Sequence, residues 1–232
     1  MRRKLFTVIL PCLNEERTVL KCVKAIKKSL DKSKYKEAYE ILICDNNSTD
    51  KSHAIYKKHR LNFLIEKRTG YGYAVMAGIK AAKTKYVVVL DADMSYKTDD
   101  IPKMVEELKV GHDLIVGNRF LGEIHKKAMP LSHKVGSRIL TEYANFLFGI
   151  NVHDHHCGLR AFDRKKVLDS GIKTREFEFD TEMIIRAKLK DLSIKEIATD
   201  LFKDGRNRKP HLKTFRDGFK CLRLINQIKL AK

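Results

Sequence analysis

Apolar positions in the first ninety residues follow two alternating rhythms. Short unbroken apolar runs predict strands at residues 4–10, 39–44, 62–66 and 86–90, and stretches of helical character predict helices at 15–30, 50–59 and 73–82. Strict alternation of strand and helix is the pattern of a parallel, doubly wound sheet. The run Tyr86-Val87-Val88-Val89-Leu90 is apolar and β-branched, as in a strand buried on both faces. Asp91-Ala92-Asp93 follows at once, and carboxylates spaced i and i+2 leave a strand end on one side.

Polar loops close three of these strands: Pro11-Cys12-Leu13-Asn14-Glu15, Cys44-Asp45-Asn46-Asn47-Ser48-Thr49-Asp50, and the Asp91/Asp93 pair. A parallel sheet gathers such loops on its carboxyl edge, where open α/β sheets bind ligands. Two hard oxygen donors there suit Mg2+ or Mn2+, and a divalent ion suits a diphosphate. The alternative is that the two acids merely cap the following turn.

Beyond Asp93 the rhythm changes. A helix is predicted at 100–110 and a strand at 113–116, ending in Gly117-Asn118-Arg119. Residues 134–148 carry Val135, Ile139, Leu140, Tyr143 and Leu147 at helical spacing. Residues 151–160 read as a loop ahead of another helix–strand unit, and 203–213 as a basic loop. In the tail, Phe215, Phe219, Leu222 and Ile225 share a stripe beside Arg216, Lys220 and Arg223, read as a helix packed on its own domain in preference to a membrane anchor. With no linker or repeat, one domain is expected: a nucleotide-binding half (1–93), an acceptor-binding half (94–202), and a basic loop with a C-terminal helix (203–232).

Composition narrows the partners. The 232 residues carry a net charge of +19, which favours polyanions: nucleic acid, an anionic membrane face or phosphorylated substrates. No apolar run approaches the ~20 residues that span a bilayer. The basic start, whose apolar run ends at Pro11, reads as a first core strand and not a signal peptide. Five scattered cysteines without a Cys-x-x-Cys pair point to a reducing cytosol and away from a disulfide framework or zinc ribbon.

Other motifs carry less. Gly70-Tyr71-Gly72 precedes a helix, but Val75 stands where a dinucleotide fingerprint has its third glycine, so a glycine-permitted turn beside a ligand is the better reading. An apolar strand ending in Asp-x-Asp also marks aspartyl-nucleophile phosphatases, where the pair usually sits on the first strand; here three βα units precede it. His153, His155, His156 and Cys157 lack the second ligand pair that a tetrahedral site needs. The basic loop, with Arg206, Arg208 and Lys209 between Gly205, Asn207 and Pro210, reads as a mobile phosphate-binding segment in preference to a solvated run.

Taken in order, Val8-Ile9-Leu10-Pro11-Cys12-Leu13-Asn14-Glu15, residues 45–50, Gly70-Tyr71-Gly72-Tyr73-Ala74 and Asp91-Ala92-Asp93 resemble the inverting family 2 glycosyltransferases of the GT-A fold. Gly117-Asn118-Arg119-Phe120, Ala128-Met129-Pro130, residues 154–162, 204–212 and Arg216-Asp217-Gly218 resemble the polyprenyl-phosphate (dolichol-phosphate) sugar synthase branch.

The resemblance implies a mostly parallel sheet flanked by helices, and roles for named residues. Pro11, Leu13, Asn14, Glu15, Asp45 and Asn47 would hold base and ribose, with Gly70, Gly72, Asp91 and Ala92 completing the nucleotide-sugar site. Asp91 and Asp93 would hold Mg2+ or Mn2+, with Ser95 a further candidate for the metal shell. Arg119, Arg138 and Arg160 are the acceptor-phosphate candidates, and Arg206, Arg208 and Lys209 would close over phosphates; Asp93, Arg119 and Arg160 are the expected catalytic set. Two departures stand out: Asn46 where many relatives carry Asp, and a chain that stops at Lys232 without the transmembrane helices of many relatives.

A lipid phosphate is anionic and nucleophilic without a general base, so arginines that hold two anions together are what such a site requires. The expected reaction moves a hexose from UDP-glucose, or next from GDP-mannose, to polyprenyl phosphate at the cytoplasmic face of an anionic membrane. A glycan or other non-lipid acceptor is the first alternative. A basic nucleic-acid-binding protein is the remote one, disfavoured because the basic loop lacks interleaved aromatics.

Overall fold

The computed structural model describes residues 4–206 and 214–231. In chain order the elements are β1 (Phe6–Cys12), α1 (Val19–Asp31), β2 (Tyr39–Asp45), α2 (Ser52–Lys58), β3 (Phe63–Ile65), α3 (Tyr71–Ala81) and β4 (Tyr86–Val89). A 3-10 turn (Thr98–Asp100) then leads into α4 (Ile101–Lys109), β5 (Leu114–Asn118), α5 (Leu131–Phe148), β6 (Arg160–Asp163), α6 (Arg164–Asp169), α7 (Phe179–Leu189), β7 (Ile194–Ala198) and α8 (Thr214–Leu230).

The seven strands lie in the order β3-β2-β1-β4-β6-β5-β7. All neighbouring pairs are parallel except those made by β6, which runs antiparallel between β4 and β5. The expected mostly parallel sheet is therefore present. Residues 6–10 of β1 and all of β4 are buried, as strands covered on both faces must be. α1 buries Val19, Cys22, Val23, Ile26 and Leu30, one stripe at helical spacing.

Two elements differ from the sequence expectation. The strand β6 begins at Arg160, within the stretch read as loop. Only four residues long, with charged residues at both ends, it gives no periodic signal; its neighbours β4 and β5 supply the pairing, Val89 opposite Arg160 and Val116 opposite Arg160 from the other side. α5 forms where expected, but its fully buried residues are Thr141, Ala144 and Phe148, while Val135 and Ile139 of the apolar stripe are 49% and 63% exposed. α8 packs on the domain, but through Cys221, Leu224, Ile225 and Ile228: of the predicted stripe Ile225 is buried, Phe219 and Leu222 stay outside, and the side chain of Phe215 lies outside the described residues. Among the described residues no helix is long and apolar enough to cross a membrane.

Candidate active site

The chain runs outward from β1 through β2 to β3, then returns to place β4 on the other side of β1. Strand order reverses between β1 and β4, the position where open α/β sheets form a ligand crevice. The register sets Cys12 opposite Asp45 and Ile9 opposite Val89, which brings the three polar loops to one edge. A cavity of about 1000 Å3 opens there. Of the residues expected at the site, Pro11, Leu13, Glu15, Gly70, Asp91, Ala92, Asp93, Ser95, Arg119 and Arg206 line it. Asn14, Asp45, Asn47, Gly72, Arg138 and Arg160 do not; Arg208 and Lys209 lie outside the described residues.

The residues off the cavity wall have legible structural work. The Asn14 side-chain oxygen accepts from Thr49 N at 2.7 Å and Asp50 N at 3.2 Å, lacing the first loop to the second. Asp45 is wholly buried and accepts from Ser48 N at 2.8 Å, His53 Nε2 at 2.9 Å and the Tyr56 hydroxyl at 2.9 Å. Asn47 is exposed, with a left-handed φ of 66°. Its neighbour Asn46 lines the cavity and explains its own departure from the family pattern. Asn46 donates through Nδ2 to the Glu66 and Arg68 carbonyls, at 3.3 and 2.7 Å, while Oδ1 accepts from Gly70 N at 2.7 Å. An ionised Asp could not donate to those carbonyls.

Gly70 has φ 147°, and a side chain there would strike the Arg175 carbonyl. The close approach lets Tyr73 N bond to Arg175 O at 3.1 Å and presses the segment before α7 against the start of α3. The turn is one that glycine permits, as the sequence reading has it.

At the carboxylate pair, Asp93 Oδ1 accepts from Ser95 N at 2.9 Å across a turn at Met94, whose φ of 68° is rare for a residue with a side chain. Arg206 sits on the other oxygen, Nη2 to Asp93 Oδ2 at 2.7 Å, and reaches Glu15 at 3.4 Å and Asp204 at 3.3 Å. Burial, then the Asp93 and Asp180 charges, push the Asp91 carboxyl up to about 8. A side chain at position 158 would collide with the Asp91 carboxylate and force it to shift. Crowded carboxylates that already hold a guanidinium suit a divalent cation. Among the described residues no group of three or more His, Cys, Asp or Glu is placed to hold a metal.

The arginines divide. Arg119 is clamped by buried Asp154, Nε and Nη2 to its two carboxylate oxygens at 2.7 Å each, yet it still lines the cavity. Burial pushes Asp154 up, but the Arg119 charge and hydrogen bonds hold its carboxyl below the ordinary range. Arg138 is exposed and stacks on Phe120 at 4.5 Å. Arg160 departs from its expected role. It is 1% exposed, and its guanidinium donates to the carbonyls of Cys157 at 2.9 Å, Asp180 at 2.8 Å and His155 at 2.5 Å. A phosphate would have to displace those bonds, so Arg160 positions the loop and Asp180.

Asp180, Tyr71 and Tyr96, which the sequence does not mark as site residues, also line the cavity, as does His156 of the polar loop that the sequence reading sets near a phosphate-rich site. Burial pushes Asp180 up to about 6 against the opposing Arg160 and Arg119 charges. Its only signal was the acidic run Glu176, Glu178, Asp180, Glu182 at a helix start, which is ordinary helix electrostatics.

A crevice at the sheet's switch point, lined by two carboxylates and by arginines, is the arrangement of a GT-A fold. The chain belongs to glycosyl transferase family 2, whose sequence profile matches residues 7–170. It is 30% identical over 221 residues to the low-salt glycan biosynthesis hexosyltransferase Agl6 of Haloferax volcanii, covering 94% of this chain and 52% of that protein. The chain thus spans about half the length of that relative. The UDP-N-acetylglucosamine–dolichyl-phosphate N-acetylglucosaminyltransferase of Methanococcus voltae is also 30% identical over 221 residues, with 85% of each chain covered. Glucosyl-3-phosphoglycerate synthase from Mycobacterium tuberculosis, solved with Mn2+, UDP-glucose and phosphoglyceric acid, shares the fold with a TM-score of 0.72 at 17% identity, over 98% of this chain and 79% of that one.

Proposed function

We propose that the chain transfers a hexose, with inversion, from a nucleotide sugar to polyprenyl phosphate at the cytoplasmic face of a membrane, with UDP-glucose the first candidate donor and GDP-mannose the second. One observation carries this reading: a single cavity joins Asp91, Asp93 and Arg119 to an apolar end lined by Met129, Ile139, Leu140 and Phe219. An anionic head and an apolar tail on one acceptor match those two ends. The relatives named for dolichyl phosphate support the acceptor class, and the Mn2+ and UDP-glucose of the structural neighbour support the donor end.

Asp91 and Asp93 would hold Mg2+ or Mn2+, which supplies positive charge to the departing diphosphate. Arg206, freed from Asp93, would turn to the phosphates. Arg119, its orientation fixed by Asp154, would set the acceptor phosphate against the sugar. An acceptor oxygen then attacks the anomeric carbon as the bond to the diphosphate oxygen breaks on the opposite face, and no proton need be removed.

The test is incubation with labelled UDP-glucose or GDP-mannose, Mn2+ and a short polyprenyl phosphate. Label passing into the organic phase is the expected result; label found only in water-soluble product overturns the lipid acceptor. Asp91→Asn and Asp93→Asn should each lower kcat by about a hundred-fold or more.

A further inference from the structure

Gly70 and Gly72 flank Tyr71, and the two glycines let the start of α3 meet the start of α7. A Cβ at Gly72 would stand 2.9 Å from backbone atoms of Arg175 and 3.0 Å from Phe179 Cβ. The close approach brings Tyr71, the first residue of α3, to Phe177 and Asp180, on either side of the start of α7. The Tyr71 and Phe177 rings stack with centroids 5.8 Å apart and planes at 13°. The Asp180 and Asp91 charges both bear on the Tyr71 hydroxyl, and Asp180 bears on Asp91, so this corner adjoins the carboxylate pair. His156 joins it from the loop before β6, its Nε2 3.4 Å from Thr181 Oγ1. Tyr71, His156, Phe177, Glu178 and Asp180 all line the cavity. Among the described residues, the Tyr71 hydroxyl, His156 Nδ1 and Glu178 Oε2 are buried polar atoms of that wall without a hydrogen-bond partner. Such orphans are rare in native folds, and a ligand in the cavity would satisfy them.

We propose that Tyr71, Asp180 and His156 form the subsite for the ring hydroxyls of the donor sugar, and so set which sugar is accepted. The inference rests on the nucleotide-sugar reading above and names the residues that read the sugar. Electrostatics assigns the occupant. Asp91, Asp93, Glu178 and Asp180 make this corner negative, which disfavours the acceptor phosphate, and its polar groups disfavour an isoprenoid tail. What suits it is the neutral sugar, joined to the diphosphate at the adjoining Asp91/Asp93 pair. The Asp180 carboxylate accepts from hydroxyls, the Tyr71 phenol donates, and His156 Nδ1 does either according to its tautomer. The Tyr71–Phe177 stack adds an apolar wall for the C–H face of a pyranose. Arg160 is the positioning residue of this corner, donating to the Asp180 carbonyl at 2.8 Å and lying 3.4 Å from its Oδ1.

Calorimetric titration with Mn2+ and, in turn, UDP, UDP-glucose, GDP and GDP-mannose separates the sugar from the rest of the donor. In Asp180→Asn, affinity for the sugar nucleotide that wild type binds should fall about ten-fold, and in Tyr71→Phe about five-fold. Affinity for the matching bare diphosphate should stay within about two-fold in both variants, which also demonstrates an intact fold. Among monodeoxy analogues of that sugar nucleotide, at least one should bind wild type and Asp180→Asn alike, because the hydroxyl that the carboxylate holds is already missing. A carboxylate with a purely structural role would weaken diphosphate and sugar nucleotide together. Equal loss for the two ligands, or no loss for either, therefore overturns the subsite and leaves the donor reading standing. A wild type that binds neither UDP-glucose nor GDP-mannose overturns the donor reading, and the subsite with it.

Discussion

At the residue scale, the contact of Arg206 with Asp93 makes the guanidinium a competitor for the place a divalent ion would take. Removing it should help the ion and harm the reaction. In Arg206→Ala, Mn2+ binding without nucleotide, followed by the paramagnetic resonance of free Mn2+, should tighten about five-fold, the equivalent of ~1 kcal/mol for a partly screened pair. Turnover should fall in the same variant, because the arginine then has nothing to bring to the phosphates. Unchanged Mn2+ affinity would show that Arg206 does not contest the site. The carboxylate pair could be read from sequence because a strand end fixes where its side chains go. The arginines could not, since chain position does not reveal what a guanidinium donates to. Arg119 keeps an edge on the cavity because one carboxylate, Asp154, takes two of its nitrogens. Arg160 is spent on three backbone carbonyls that meet only in the folded chain.

At the scale of elements, the same limit explains β6 and α5. The βα alternation of the first half is a local signal, and the structure follows it closely. β6 is specified by its neighbours, and α5 turns Thr141, Ala144 and Phe148 inward while Val135 and Ile139 stay exposed; neither fact is local. The turn leading into β6 adds a pH dependence. His155 is wholly buried, with Nε2 3.0 Å from Asn145 Oδ1, and burial together with the His156 and Arg160 charges lowers its pKa to about 3. Burial also lowers His156 to about 4. Both rings stay neutral in the fold, while the unfolded chain takes up protons near 6.5. Between those values the unfolded state binds more protons, so stability falls as pH falls, by roughly 1.4 kcal/mol per histidine for each unit below 6.5. The loss from His156 levels off near pH 4 and that from His155 near pH 3. In denaturation curves between pH 7 and pH 4.5, His155→Gln should flatten the acid slope by about one histidine's share. An unchanged slope would place the acid-sensitive groups elsewhere.

At the scale of the whole molecule, the cavity is built from both halves of the chain: the βα loops of the first contribute Glu15, Asp91 and Asp93, and the second contributes Arg119, Asp180 and Arg206. Whatever fills it ties those segments together, and its binding energy becomes folding stability. Asp91 and Asp180, both pushed up by burial, mark the place where the fold holds carboxyls in an unfavourable setting. Mn2+ with UDP at about a hundred times the dissociation constant should stabilise the domain by ~2.7 kcal/mol, because the ligands bind only the folded form. For a domain of this size that corresponds to a rise in Tm of about 5–10 °C. The variant Asp91→Asn/Asp93→Asn separates site from scaffold. Without ligand its Tm should stay near that of the wild type, since removing the buried Asp91 carboxyl offsets the charge pair with Arg206 that Asp93→Asn gives up. Its rise with Mn2+ and UDP should largely vanish, leaving only what the base and ribose contacts supply. A variant that keeps the full rise would mean that the two carboxylates do not hold the ion, whatever their place at the strand end.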